Sequence, residues 1–309
     1  MIVDIHVHLM PKEFNSPEFW EGWARLGAAL ADRPVEKARA RVPELWDATG
    51  DILLKDMDEA GIDKSVFFTA DIGLSPLNRP EVNWDQQNRE VIAAVRRHPD
   101  RLAAFVGIDP RRTGALQYLE MAVKEWGVLG LKVHPGAEFF PNDRACYPIY
   151  QKALELGVPV AIHTGSEGPS MRSRYCHPMY VDDVAVDFPD LTIIIAHAGL
   201  LWWWDAMAVA AFKPNVYLEL AGWQPRILRG SLEFYQALRT MMNLVGPHRI
   251  MFGSDWPVVK LAVSQKQWVQ AIKNPPEALK SLGISFTKKE IDGVLGDNAA
   301  RLLKLEAGR

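Results

Sequence analysis

The sequence predicts an α/β fold: a single (β/α)8 TIM barrel with an insertion after strand one and extra C-terminal helices. Three observations predict it. Apolar runs alternate with stretches of helical spacing eight times in 309 residues. Most runs are continuously apolar, which implies strands buried on both faces, as in a parallel sheet covered by helices. The helix-to-strand turns are tight, whereas the strand-to-helix connections are long after strands one, two and five; in a barrel those long loops gather at the carboxyl ends of the strands. A doubly wound open sheet is the competing arrangement. It lacks support, because no G-x-G-x-x-G follows a strand and no G-x-x-x-x-G-K-[ST] occurs.

The elements follow in order. Ile2 to Val7 is the first strand, and the Pro- and charge-containing stretch Pro11 to Pro43 reads as an insertion. Leu45 to Ala60 has helical spacing and stops at Gly61, a residue suited to ending a helix. The second strand is Lys64 to Ala70, followed by a helix from Trp84 to His98 that Pro99 stops. Leu102 to Ile108 is the third strand, Gly114 to Trp126 a helix, and Val128 to His134 the fourth strand. A helix from Ala145 to Leu156 leads to the fifth strand, Val158 to His163. Tyr180 to Phe188 is helical, and Leu191 to His197 is the sixth strand. Trp202 to Phe212 is helical, Val216 to Leu220 is the seventh strand, Leu228 to Val245 is helical, and Arg249 to Ser254 is the eighth strand. Two further helical stretches, Ser264 to Leu282 and Lys288 to Leu305, complete the chain as one domain over residues 1–309.

Composition removes several classes of function. Lys+Arg 35 against Asp+Glu 38 gives a net charge of -3, which is no footprint of a nucleic-acid binder. Two Cys without a Cys-x-x-Cys cannot make a disulfide framework. The N-terminus has no basic n-region or apolar h-region and does not read as a signal peptide. Leu191 to Phe212 is long and apolar enough to raise the membrane question, but His197, Gly199 and Asp205 interrupt it. A cytoplasmic protein with no membrane and no nucleic-acid partner is the expectation. The 8 His then require an explanation.

Their positions supply one. His6 and His8 lie two apart at the end of strand one, so they share a face, and two imidazoles on one face suit one divalent ion. His163 ends strand five, His197 ends strand six, and Asp255 closes strand eight. Singly each reads as an ordinary core or loop residue. Together they place metal-ligating or proton-moving groups at the ends of four strands of eight, three of them immediately after an apolar run.

The motifs His6-Val7-His8, His163-Thr164-Gly165, His197-Ala198-Gly199 and Gly253-Ser254-Asp255-Trp256-Pro257 resemble those of the amidohydrolase superfamily. The resemblance runs in order along the whole chain. It is strongest to the branch that includes the aminocarboxymuconate-semialdehyde and resorcylate decarboxylases. Gly130 to Pro135 and Asn215 to Leu220 also resemble that branch. The resemblance implies that His6, His8, His163 and Asp255 ligate one divalent metal, with Zn expected first and Mn, Co or Fe open. A bound water would complete the site, and Asp255 would act as its base. His197 would polarise a substrate carbonyl or move a proton without ligating. Lys132 and His134 share parity on strand four. In binuclear relatives a carboxylated Lys there bridges two metals, but the branch is mostly mononuclear, so both residues are expected to bind substrate.

Further expectations attach to single residues. Arg172 and Arg174, in the long loop after strand five, could pair with a substrate carboxylate, and Trp256 is a candidate substrate contact. Trp202-Trp203-Trp204 cannot share one helical face, so at least one indole should be core or buried in a subunit contact. His98, His177 and His248 read as surface or turn residues, and Cys146 and Cys176 as buried or loop thiols. The expected substrate is a small carboxylated, aromatic or cyclic compound. Two chemistries stay open: hydrolysis by metal-activated water, and non-oxidative decarboxylation. A non-catalytic metal-binding or scaffold barrel would need a closed ligand set. A homodimer is common in the matching branch.

Overall fold

A computed structural model describes residues 1–228 and 232–306. The eight apolar runs form one parallel sheet in chain order. Its strands are β1 (Val3–Val7), β2 (Lys64–Phe68), β3 (Leu102–Gly107), β4 (Gly130–Val133), β5 (Val160–His163), β6 (Ile193–Ala196), β7 (Val216–Glu219) and β8 (Ile250–Met251). The two ends of the sheet meet just beyond β8. Ile5 N–H donates to Phe252 O at 3.1 Å, Asp255 N–H to His6 O at 2.8 Å, and His8 N–H to Trp256 O at 2.7 Å. This seam closes the barrel and sets Asp255 beside His6 of β1 and His8 just after it.

Burial on both faces explains the continuous runs. Ile5, Val66, Phe68, Phe105, Ile194 and Met251 fill the barrel interior, where Ala299 and Leu303 of the last helix join them. Alternate strand residues face outward into the larger layer beneath the helices, with Val7, Phe67, Val106 and Ile195 among them. Burying such side chains is worth roughly 1.5–3 kcal/mol each.

The insertion is ordered and helical. Ser16 caps the helix Pro17–Leu30 by accepting from Phe19 N–H at 3.3 Å, and Pro17 occupies its first turn. Phe19, Trp20 and Ala24 pack with Met10, Val42 and Leu45 in a satellite core. A short helix, Val35–Arg39, follows.

Two helical expectations are corrected. The helix expected from Leu45 begins at Asp51, because the Asp47 carboxylate accepts from the N–H groups of Thr49, Gly50 and Leu53 and holds a turn there. The stretch Ser264 to Leu282 is two pieces, Gln265–Lys273 and a 3-10 turn Glu277–Leu282, because Pro275 and Pro276 cannot continue a helix. Within the stretch Leu228 to Val245 the described residues are helical at Leu228, the end of Pro225–Leu228, and over Leu232–Leu244, and residues 229–231 lie outside the described residues. Leu191 to Phe212 comprises β6, a kinked turn and the helix Trp203–Phe212. Among the described residues, no helix is long and apolar enough to cross a membrane.

Candidate metal centre and active-site cavity

The carboxyl end of the barrel carries the polar groups. His6 is held from behind: its Nδ1–H donates to the Glu219 carboxylate at 2.8 Å. His8 Nδ1–H donates to the Phe68 carbonyl at 2.7 Å. A carbonyl oxygen only accepts, so the His8 proton sits on Nδ1 and its Nε2 bears a lone pair. The same tautomer follows for His6, whose pKa burial holds well below the ordinary value. Both Nε2 atoms point to one place, 3.2 Å apart. Asp255 Oδ1 lies 3.0 Å from His8 Nε2 and 3.7 Å from His6 Nε2.

Three acceptors thus converge with no donor between them. Such a group repels itself unless a cation sits among it, and two imidazoles with a carboxylate are the donor set of a divalent metal. His163, expected as a fourth ligand, is placed with His134 and Glu167, its Nδ1–H donating to His197. The residues present therefore suit the metal that the sequence leads one to expect.

Asp255 reaches this position in a costly conformation. Its φ is 52°, and His197 has φ 64°. Non-glycine residues adopt the left-handed region rarely and hold it only where surrounding structure imposes it. The closure bonds impose it at Asp255. At His197, the backbone N–H donates to Glu219 Oε2 at 3.1 Å, and its carbonyl accepts from Trp223 Nε1–H at 2.7 Å.

Glu219 is the hub of this arrangement and is fully buried. It also accepts from Ala221 N–H. A Cβ on Gly253 would lie 1.9 Å from Glu219 Oε1, so only glycine can precede Ser254-Asp255 here. Burial pushes the Glu219 carboxyl upward, while the nearby Lys132 charge opposes it. Sequence reading missed Glu219. Its signal was a lone acid at the end of the apolar strand β7. Glu219→Gln should lower metal affinity about 10–100-fold, as the loss of a carboxylate behind a ligating histidine does; competition with a chromogenic chelator measures it. An unchanged affinity would remove Glu219 from that role.

His197 stands beside the trio. Its ligand nitrogen lies within 4.8 Å of those of His6 and Asp255. Its Nδ1–H donates to Ala221 O at 3.0 Å, which leaves Nε2 to accept from His163 Nδ1–H at 3.1 Å. Burial lowers the His197 pKa to about 4, so it is neutral at rest.

His163 stacks on His134, ring centroids 4.2 Å apart. Glu167 Oε1 lies 3.3 Å from His163 Nε2 and 3.6 Å from His134 Nδ1. Cys176 Sγ–H donates to the same Glu167 oxygen at 3.1 Å. Glu167 also escaped sequence reading, because it lies in a loop with no motif around it. Burial raises its pKa from 4.5 to about 7. An acid raised in this way stabilises the fold fully below its unfolded value and loses that contribution as pH rises through about 7. The thermal stability of the metal-free protein, measured relative to that of Glu167→Gln, should therefore fall between pH 5 and 8. Parallel melting curves for both proteins would refute the assignment.

Lys132 lies 1% exposed inside the barrel, its Nζ over the Phe68 ring at 4.8 Å with no hydrogen-bond partner. Burial pushes its pKa down to about 8. Its charge also helps depress His6, His134, His163 and His197.

Above these groups is a cavity of about 320 Å³. His8, His134, His163, Glu167, His197 and Asp255 face into it, and Phe14, Phe19, Trp23 and Leu30 of the insertion form a wall. Three expected substrate contacts are elsewhere. Arg172 is exposed and bound to Glu138, and Arg174 donates to the Tyr175 hydroxyl at 2.7 Å. Trp256 is buried, donating its Nε1–H to Asp56 at 2.7 Å, where it wedges the barrel against a helix. Among the described residues, no Arg or Lys lines the cavity. Of the three tandem indoles, Trp204 is exposed, whereas Trp203 packs towards Trp223.

A parallel barrel with histidines and an aspartate turned onto one point at its carboxyl end has the site plan of a metal-using barrel enzyme. Residues 3–305 match the model of the amidohydrolase family, and the chain belongs to that family. Among its relatives are a hydratase and a decarboxylase. It is 28% identical over 226 residues to 2-keto-4-carboxy-3-hexenedioate hydratase of Sphingobium sp., a match covering 64% of this chain and 65% of the hydratase. It is 20% identical to 2-amino-3-carboxymuconate-6-semialdehyde decarboxylase of Dictyostelium discoideum, over 99% of this chain and 92% of the relative. The fold is shared with 5-carboxyvanillate decarboxylase of Novosphingobium aromaticivorans, solved with manganese and 3-methoxy-4-hydroxy-5-nitrobenzoic acid. That similarity has a TM-score of 0.69 at 16% identity, over 99% of this chain and 97% of the other.

Proposed function

We propose that this chain is a metal-dependent enzyme that cleaves or forms a bond beside a carboxylate in a small organic substrate, with non-oxidative decarboxylation as its chemistry. The observation that carries the reading is the convergence of His6 Nε2, His8 Nε2 and Asp255 Oδ1 beneath a largely apolar cavity. Relatives named as a decarboxylase and a hydratase support it.

In this reading His6, His8, His163 and Asp255 hold one divalent ion, with Zn favoured and Mn, Co or Fe accepted by the same nitrogen and oxygen donors. When bound, the ion supplies a Lewis acid for substrate oxygens and acidifies water. The chain's own groups do the rest. Lys132 holds a positive charge under the ring of histidines, where it offsets the charge of a substrate carboxylate. His134, free at Nδ1, orients that carboxylate. Asp255 holds or takes a proton at the oxygen facing the cavity. His197, on taking up a proton at Nε2 in place of the bond from His163, gives it to the carbon that loses CO2 or steadies a developing oxyanion. The apolar walls exclude water from that carbon.

Hydrolysis uses the same groups, with Asp255 taking the proton of the attacking water. The test is a screen of carboxylated aromatic and unsaturated acids on metal-reconstituted protein, with CO2 release followed alongside water addition and ring opening. CO2 release with retention of the remaining skeleton is expected. Ring or ester opening without CO2 would replace decarboxylation by hydrolysis. The cytoplasmic setting and the homodimer remain part of the proposal, the latter to be checked by light scattering.

A further inference from the structure

A second cavity, of about 420 Å³, adjoins the first. Trp23, Leu30, Pro225, Val258 and Ala262 line both, so the two share a wall of side chains with no charge in it. The second is otherwise bounded by Leu26, Gly27, Ala38, Val42, Leu45 and Leu261, from the insertion and the segment after β8. Its charged lining residues are Arg33 and Arg41, and Arg41 is engaged with Glu44 at 3.0 Å. Leu30, 68% exposed, stands at the opening.

Two facts set the occupant. The first cavity alone is at the small end of the range for ligand pockets and already suits a single-ring acid. Its histidines and Asp255 lie on the barrel side, while the side chains it shares with the second cavity are apolar. We infer that the second chamber receives a hydrocarbon tail of the substrate. The ligand is then amphiphilic: a carboxylated head at the metal centre and an alkyl chain of several carbons running between the insertion and the segment after β8. This inference rests on the metal-centre reading for the head, and on the adjoining chambers alone for the tail. It gives the insertion a purpose: its helix Pro17–Leu30 supplies Trp23 and Leu30 at the junction and Leu26 and Gly27 beyond it.

The test uses 4-alkyl-2-hydroxybenzoates with chains of one to eight carbons, titrated against the full-length protein with tryptophan fluorescence as readout. Each titration is run on Zn-loaded and on chelator-treated protein. Each added methylene should tighten binding about fourfold until the chamber is full. Gly27→Phe should plug the chamber and flatten that dependence while sparing the one-carbon member. Gly27→Ala should preserve the dependence, because a Cβ there meets only the Ala38 Cβ at 4.0 Å. Both changes favour the helix in which Gly27 lies.

Affinity independent of chain length in the unmodified protein would overturn the inference, as would a dependence that survives Gly27→Phe. Self-association that Gly27→Phe abolishes, with no chain-length dependence, would place a second copy of the chain on this face and overturn it as well. If the affinities themselves, and not only their dependence on chain length, are the same with and without Zn, the chamber stands and the metal-centre reading of the head fails.

Discussion

Asp255→Asn lowers kcat about 10²–10⁴-fold, the range over which a positioned acid or base contributes. Asparagine keeps the volume and one oxygen but loses the charge and the proton acceptor. The fold should tolerate it. Asp255 has φ 52°, and asparagine is among the few residues that enter the left-handed region readily. The comparison is made at saturating metal, so that weaker binding of the ion does not masquerade as lost chemistry. His98→Ala is the control: His98 terminates the helix Trp84–Arg97 and is not among the residues facing the cavity. Equal losses in the two variants would contradict the assignment of Asp255.

His197→Ala separates a proton-moving residue from a ligand. Its expected result is a loss in kcat of about 10²-fold or more with metal content unchanged. The geometry motivates both halves. His197 Nδ1–H is spent on the Ala221 carbonyl, and Nε2 accepts from His163, so its lone pair is already engaged. Yet its nitrogen lies within 4.8 Å of His6 and Asp255, near enough to ligate if it turned. Loss of the ion in His197→Ala would make it a ligand. Unchanged turnover would leave it a packing residue.

The barrel was legible in the sequence because a strand buried on both faces has no polar alternation, and eight such runs recur between helical stretches. Helix boundaries were less legible, since they turn on local bonds. The three N–H groups gathered by Asp47 delay one helix to Asp51, and only the Pro275-Pro276 pair announces the break in another. At the site, His6, His8, His163, His197 and Asp255 could be read because each is a polar residue at the end of an apolar strand. Glu219 stood in the same kind of position and went unread, because its work is done behind His6 and not on the ion. Glu167 could not be read at all: the loop that carries it comes to His134 and His163 only through the fold. The same loop misled in the other direction. Arg172 looks like a carboxylate binder, and it does bind one, but the carboxylate is Glu138.

The most direct measurement is the metal content of purified protein by elemental analysis, taken on the unmodified chain and on His8→Ala after equilibration with equal metal. His8 is the choice because its Nε2 touches both other acceptors of the trio and its Nδ1 is fixed by Phe68. The expected result is about one divalent ion per chain, falling to background in His8→Ala while circular dichroism shows the barrel intact. A ratio near two, or full occupancy without the His8 imidazole, would contradict a single ion held at this centre.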